Sequence, residues 1–139
     1  TGYELQLQIK LLDIFYLMIS NDAFTPVKRS NDSTRTYIKQ AISLIQYNYN
    51  TDIKIEDIAS SLNLCTEHFI RSFKKYVGGT PKEYLMKYRI DQACSLLLST
   101  DMGISDIAQQ CGFSDASYFA RCFKQLMGQT AASFRKLHL

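Results

Sequence analysis

At 139 residues the chain can hold one modest core or two very small ones, and 46% hydrophobic with 21% charged residues excludes wholesale disorder. Six Gly, two Pro and no Trp, beside many Leu, Ile, Lys and Gln, favour helices over a β-sandwich. A net charge of +3 is too small to establish a nucleic-acid partner, so where the charge sits matters more than its sum.

Residues 3–19 are predicted to be helical. Leu5, Ile9, Leu12, Tyr16 and Ile19 recur at helical spacing, and Leu7, Leu11, Ile14 and Met18 form a second stripe. Two apolar stripes imply burial on two sides or a partner outside the chain. The run LLDIFYLMI is interrupted by Asp13 and is too short to span a bilayer, and no secretory signal is visible, so no membrane partner is expected. A chain that opens on Thr1 without Met is expected to be a piece of a longer protein. SNDAFTPVKRSNDST at 20–34 has a linker composition. It places a domain boundary there, dividing the chain into a helix at 1–20, a linker at 21–34 and a domain at 35–139.

That domain reads as helix throughout. A helix at about 35–49 takes Ser33 or Thr34 as N-cap and puts Ile38, Ala41, Ile42, Ile45 and Tyr49 on one face. A short helix at 53–62 breaks at Asn63 and Leu64, and TEHFIRSFKKYV (66–77) forms the next, stopped by Gly78 and Gly79. Thr80 then caps a long helix that starts at Pro81 and runs to about Ser99. A short helix at 104–111, a turn at Gly112 and a longer helix at 115–127 repeat the short–long pair; Gly128 ends it, and a last helix covers about 131–137.

The four cysteines, Cys65, Cys94, Cys111 and Cys122, contain no C-x-x-C pair, and His68 and His138 lie far apart, so no metal site is expected. Reduced cysteines packed in the core of a cytosolic protein fit this pattern better than a disulfide framework. A Gly-rich phosphate loop, paired carboxylates in a cleft and a Ser/His/Asp or Cys/His constellation are all missing, so neither a catalytic site nor a cofactor is expected.

The chain says nearly the same thing twice. Ile55, Asp57, Ile58 and Ala59 match Ile104, Asp106, Ile107 and Ala108 at an offset of forty-nine, and from Phe69 onward the offset is fifty. A short helix, a tight turn and a longer helix, with Ala59 or Ala108 where the helices cross, is a helix-turn-helix. Two in near register, spanning 53–78 and 104–128, are a far stronger signal than one. On a helical wheel Phe69, Phe73, Tyr76 and Val77 point inward, while Glu67, Arg71 and Lys74 point outward, flanked by Ile70 and Lys75. In the second copy Phe119, Phe123 and Leu126 point inward, and Ser117, Arg121 and Lys124 outward, flanked by Ala116, Ala120 and Gln125.

Such an outward stripe suits the major groove of DNA. Arg can bond guanine O6 and N7, Glu can accept from cytosine N4, Ser can bond several bases, and the terminal Lys suits phosphates. A Lys/Arg face also serves plain solvation. Local charge leans toward DNA: from Thr66 to Ile90 six Lys or Arg stand against two acids, and from Ser114 to Leu139 four stand against one. The helix from Pro81 to Ser99 would be about 28 Å long, against ~34 Å between successive major grooves on one face. A single chain would then read an asymmetric site of about two turns, with the DNA bent or one contact loosened.

These residues resemble the AraC/XylS class of bacterial transcription regulators. The resemblance rests on IEDIASSLNLCTEHFIRSFKKYVGGTPKEYLMKYRIDQACSLLLST and ISDIAQQCGFSDASYFARCFKQLMGQT, and covers about 35–137. The second run contains the family signature I-A-x-x-x-G-F-x-x-x-x-Y-F-x-x-x-F-K-x-x-x-G. It implies an all-α fold of two helix-turn-helix subdomains joined by a long helix, preceded here by the N-terminal amphipathic helix. It also implies base contacts from Glu67, Ile70 and Arg71, then from Ala116, Ser117 and Arg121. With their neighbours on the same helices, the expected DNA-binding set is Thr66, Glu67, His68, Ile70, Arg71, Lys74, Lys75, Ala116, Ser117, Tyr118, Arg121 and Lys124. Cys65 stands where the family usually has a capping Ser, and Ala131 where it usually has Pro. Both departures affect helix starts more than DNA reading.

The resemblance further implies double-stranded DNA and RNA polymerase as partners, a homodimer formed through an N-terminal domain, a small-molecule effector bound outside this chain, and a cytoplasmic, nucleoid-associated activator. Residues 1–19 would be the tail of the sensor and dimerisation domain, or a helix that packs on the DNA-binding domain. A helical protein-interaction module is the other function class, and the 3–19 stripes are its only support.

Overall fold

The computed structural model describes residues 30–138, and among them there are only helices, turns and loops, with no strand. The helices are α1 (Ser30–Asn48), α2 (Ile55–Ser61), α3 (Thr66–Val77), α4 (Pro81–Ser99), α5 (Ile104–Gln110), α6 (Ala116–Met127) and α7 (Ala131–His138). The predicted helix at 3–19 and the segment assigned to 1–20 lie outside the described residues, as does the linker up to residue 29.

The start of the first helix differs most from the sequence reading. Helix α1 begins at Ser30, so Ser33 and Thr34 lie inside its first turns instead of capping it. The Ser/Asn/Asp/Thr composition that reads as a linker is equally compatible with a helix start, where Asp32 sits in the positive first turn and the Thr36 hydroxyl donates to the Asp32 carbonyl at 2.8 Å.

The chain divides into two units. Among the described residues, unit one joins 30–44 to Ile55–Pro81, and unit two joins Ile45–Lys54 to 82–138. In unit one, Ile38, Ala41 and Ile42 of α1, Ile58 and Ala59 of α2, and Phe69 and Phe73 of α3 are all buried. Phe69 and Phe73 meet edge to face at 5.7 Å between centroids, the arrangement that opposes a positive ring edge to a negative face.

Unit two is held by a chain of aromatic rings. Phe113 meets Phe119 at 5.1 Å, Phe119 meets Phe123 at 5.7 Å, and Phe123 meets Phe134 of α7 at 5.8 Å. Around them Ile90, Ala93, Cys94 and Leu97 of α4, and Ile107, Ala108 and Cys111 are almost wholly buried. Burial raises the Cys94 thiol to about 12 and the Cys111 thiol to about 11, so both stay protonated at neutral pH. The expectation that the cysteines pack in the core holds for these two; Cys65, which caps α3, is exposed, and Cys122, on α6, is half-buried.

Two arginines close helix ends in unit two. A helix leaves its last carbonyls without intrahelical donors. Arg89, only 7% exposed, donates from Nε to the Tyr49 carbonyl at 2.7 Å and from Nη2 to the Thr51 carbonyl at 2.8 Å, just past the end of α1. Arg135 does the same at the end of α4, from Nε to the Leu97 carbonyl in its last turn at 3.1 Å and from Nη2 to the Thr100 carbonyl just past it at 3.2 Å. Burial lowers the pKa of Arg89, and the nearby Asp52 carboxylate offsets part of that cost.

Candidate nucleic-acid interface

Both short–long helix pairs turn in the same way. The residue that needs a left-handed backbone is Asn63 (φ 57°) in the first turn and Gly112 (φ 91°) in the second, forty-nine positions apart. The next amide folds back onto the small residue of the short helix. Leu64 N–H donates to the Ala59 carbonyl at 2.9 Å, and Phe113 N–H donates to the Ala108 carbonyl at 3.0 Å. Asn and Gly are the residues that tolerate this conformation. Ala59 and Ala108, at 0% and 1% exposure, supply the small side chains where the two helices of each pair meet.

The longer helices start differently and end alike. The cap of α3 is Cys65, which makes no side-chain capping bond, so the first-turn amides of α3 have no acceptor from it. The cap of α6 is Asp115, whose carboxylate accepts from Ser117 N–H at 2.9 Å. The two caps are fifty residues apart, which places the extra residue of the second copy between Phe113 and Asp115. Gly78 (φ 92°) and Gly128 (φ 74°) end the helices in left-handed caps, each N–H donating to the carbonyl of Lys74 or Lys124 at 2.9 Å.

Each longer helix buries one face and bares the other. Phe69 and Phe73 are 0% exposed, and Phe119 and Phe123 are 1% and 0%. On the bare face of α3 stand Glu67, His68, Arg71, Lys74 and Lys75, all exposed, with Thr66 and Ile70 half-buried at its margins. On α6, Ala116, Ser117, Tyr118, Arg121 and Lys124 are all exposed. The structure thus gathers the twelve sequence-selected positions onto two helix faces, one in each unit. Leu126, expected inside, is 45% exposed, and Tyr76 and Val77 are half-buried. All three fall in the last turns, where the Phe pairs no longer set the depth of the helix.

Side-chain packing distinguishes the two faces. The His68 ring faces Tyr37 of α1 at 6.4 Å. In α6 the Arg121 guanidinium lies over the Tyr118 ring at 5.8 Å. A hydrogen bond to the Cys122 thiol, and then burial, raise the Tyr118 phenol above its usual value. Among the described residues no group of His, Cys, Asp and Glu is placed to hold a metal ion. No described helix is long and apolar enough to cross a membrane.

The model of a helix-turn-helix domain matches residues 58–137, more than half of the chain. The chain belongs to the AraC/XylS family. It carries that family's DNA-binding helix-turn-helix domain, and the all-helical architecture of two helix-turn-helix pairs with a long helix between them is the family's own. Among its AraC/XylS-family relatives is the Msm operon regulatory protein of Streptococcus mutans, 29% identical over 133 residues, which are 96% of this chain and 48% of that protein. The lactose operon transcription activator of Staphylococcus xylosus is 38% identical over 98 residues, 70% of this chain and 35% of that protein. The chain therefore spans half or less of the length of these two relatives. In three dimensions it is similar to the C-terminal domain of AraT, a response regulator from Geobacillus stearothermophilus. The TM-score is 0.71 at 30% identity, over 73% of this chain and 84% of that one.

Sequence reasoning missed the bonds of Arg89 and Arg135 at the ends of α1 and α4, the left-handed conformation of Asn63 and the capping role of Asp115. Asn63 was recoverable, because it and Gly112 are both tolerant of positive φ and align at the offset of the repeat. Arg89 was hidden, since an arginine within a mixed helix reads as a surface residue until the helix it closes is known.

Proposed function

We propose that this chain is the DNA-reading part of a transcription activator, and that it inserts α3 and α6 into successive major grooves of an asymmetric site about two turns long. The observation that carries the proposal is the doubled helix-turn-helix whose second helices each bare a basic face, Arg71, Lys74 and Lys75 in one and Arg121 and Lys124 in the other. Arg71 and Arg121 occupy mid-helix positions suited to guanine edges; the lysines toward the C-termini suit phosphates. Ile70 and Ala116 offer only apolar contact, such as to a thymine methyl, and Glu67 and Ser117 supply the polar readers. Helix α4, at 19 residues, is about 28 Å long, close to the ~34 Å between grooves. Activation is supported by the relative named as an activator. In this reading RNA polymerase is the second partner, the intact protein works in the cytoplasm at the nucleoid, and a dimer and an effector belong to parts of the protein beyond this domain.

The test is footprinting on a duplex that the chain selects from a random library. Protection of about two turns without two-fold symmetry is expected. A protected stretch of about one turn, or a palindrome bound by two chains, would overturn the two-groove reading.

A further inference from the structure

Four side chains of unit two form a column from its interior to its surface. At the base, Arg89 is fixed by its bonds to the Tyr49 and Thr51 carbonyls. Its guanidinium lies 5.7 Å from the centroid of Phe113. The Phe113 ring meets Tyr118 at 6.1 Å, tilted by 58°, and the Arg121 guanidinium lies over Tyr118 at 5.8 Å. Tyr118 and Arg121 stand at i and i+3 of α6, a spacing at which helix side chains meet.

An exposed arginine samples many rotamers, and fixing it on a base edge costs entropy. A ring held beneath the guanidinium removes part of that cost before DNA arrives, by attraction between the cation and the ring face. We propose that Tyr118 is a positioning residue: seated on Phe113, it orients Arg121 toward the base pair that Arg121 reads. The inference rests on the reading of Arg121 as a base contact. At the matching position of the first copy stands His68, whose ring faces Tyr37 instead, so the arrangement belongs to the second half-site.

The test measures dissociation constants of the full chain for its library-selected duplex and for every single base-pair change of it. The variants are R121A, Y118F, Y118L, Y118S and the double Y118L/R121A, each checked for native helicity by circular dichroism. R121A identifies the base pair concerned. Y118L and Y118S are expected to reduce discrimination at that base pair about two- to fivefold, with preferences at the first half-site unchanged. Y118F, which keeps the ring, is expected to retain most of the discrimination. In the R121A background Y118L is expected to add no further loss there. Should R121A blunt one base preference while Y118L and Y118S leave it intact, Tyr118 does not position Arg121. The same follows if Y118L weakens all sequences equally, with or without Arg121. Should R121A alter no single base preference, the underlying reading of Arg121 falls first, and the positioning role with it.

Discussion

Replacing Gly112 with Ala is expected to cost about 3–5 kcal/mol of stability, more than the same change at the other positive-φ glycines. Two separate penalties meet at this position. The backbone sits at φ 91°, a conformation in which a Cβ costs ~1–2 kcal/mol. A Cβ there would also lie 2.5 Å from the Tyr49 carbonyl oxygen and 3.0 Å from Arg89 Nε. The first is backbone and the second is fixed by its own hydrogen bonds, so neither neighbour can yield without breaking the bond between them. Gly128 shares the left-handed backbone (φ 74°) but has no heavy atom within 4 Å of the added carbon, so G128A is expected to pay only the conformational penalty of ~1–2 kcal/mol. Urea unfolding followed by far-ultraviolet circular dichroism compares the two directly. Equal midpoints for G112A and G128A would show that the close approach of Tyr49 and Arg89 is not a constraint.

The second large effect is expected at Arg89. R89M keeps much of the side-chain volume but removes both bonds to the end of α1, leaving the Tyr49 and Thr51 carbonyls without these donors at a cost of ~2–4 kcal/mol. R89K should recover only part of this, because an ammonium is a point donor and cannot reproduce the planar fork that reaches both carbonyls. R135M should cost less than R89M, since Arg135 is half-buried and its bonds are longer, 3.1 and 3.2 Å. The order wild type, R135M, R89M in urea midpoint is the expected result; R89M equal to wild type would remove Arg89 from the account of the fold. G112A and R89M disturb the same contact, so their effects in combination should be less than additive.

These two sites also mark where the sequence was hard to read. The helices themselves were legible because each signal was local. Phe69 and Phe73, and Phe119 and Phe123, fall one turn apart and define a buried face. Gly78 and Gly128 end their helices at the same place in each copy, and the offset of the repeat aligned the two turns. The bare faces followed by subtraction, which is why the candidate positions come together on α3 and α6. What stayed hidden depends on residues far apart in the chain. Arg89 holds the Tyr49 carbonyl, forty residues earlier and just past the end of α1, and no periodicity announces it. The start of α1 at Ser30 was obscured because Ser, Asn, Asp and Thr serve linkers and first turns alike. Leu126 was placed inside by wheel geometry alone, yet the final turn of α6 leaves it 45% exposed. The Tyr118–Arg121 contact sits between these cases, since the i, i+3 spacing was visible but the Phe113 ring beneath it was not.

The central claim is that two helices of one chain read two separate places on DNA. It is tested most directly by the base preferences of R71A and R121A, measured over all single base-pair changes of the selected duplex. Each variant is expected to lose ~1–3 kcal/mol of binding and to relax preference at one position, with the two positions about one helical turn apart. A loss spread evenly over all sequences would make both arginines phosphate contacts, and relaxation at one shared position would contradict a two-groove reader.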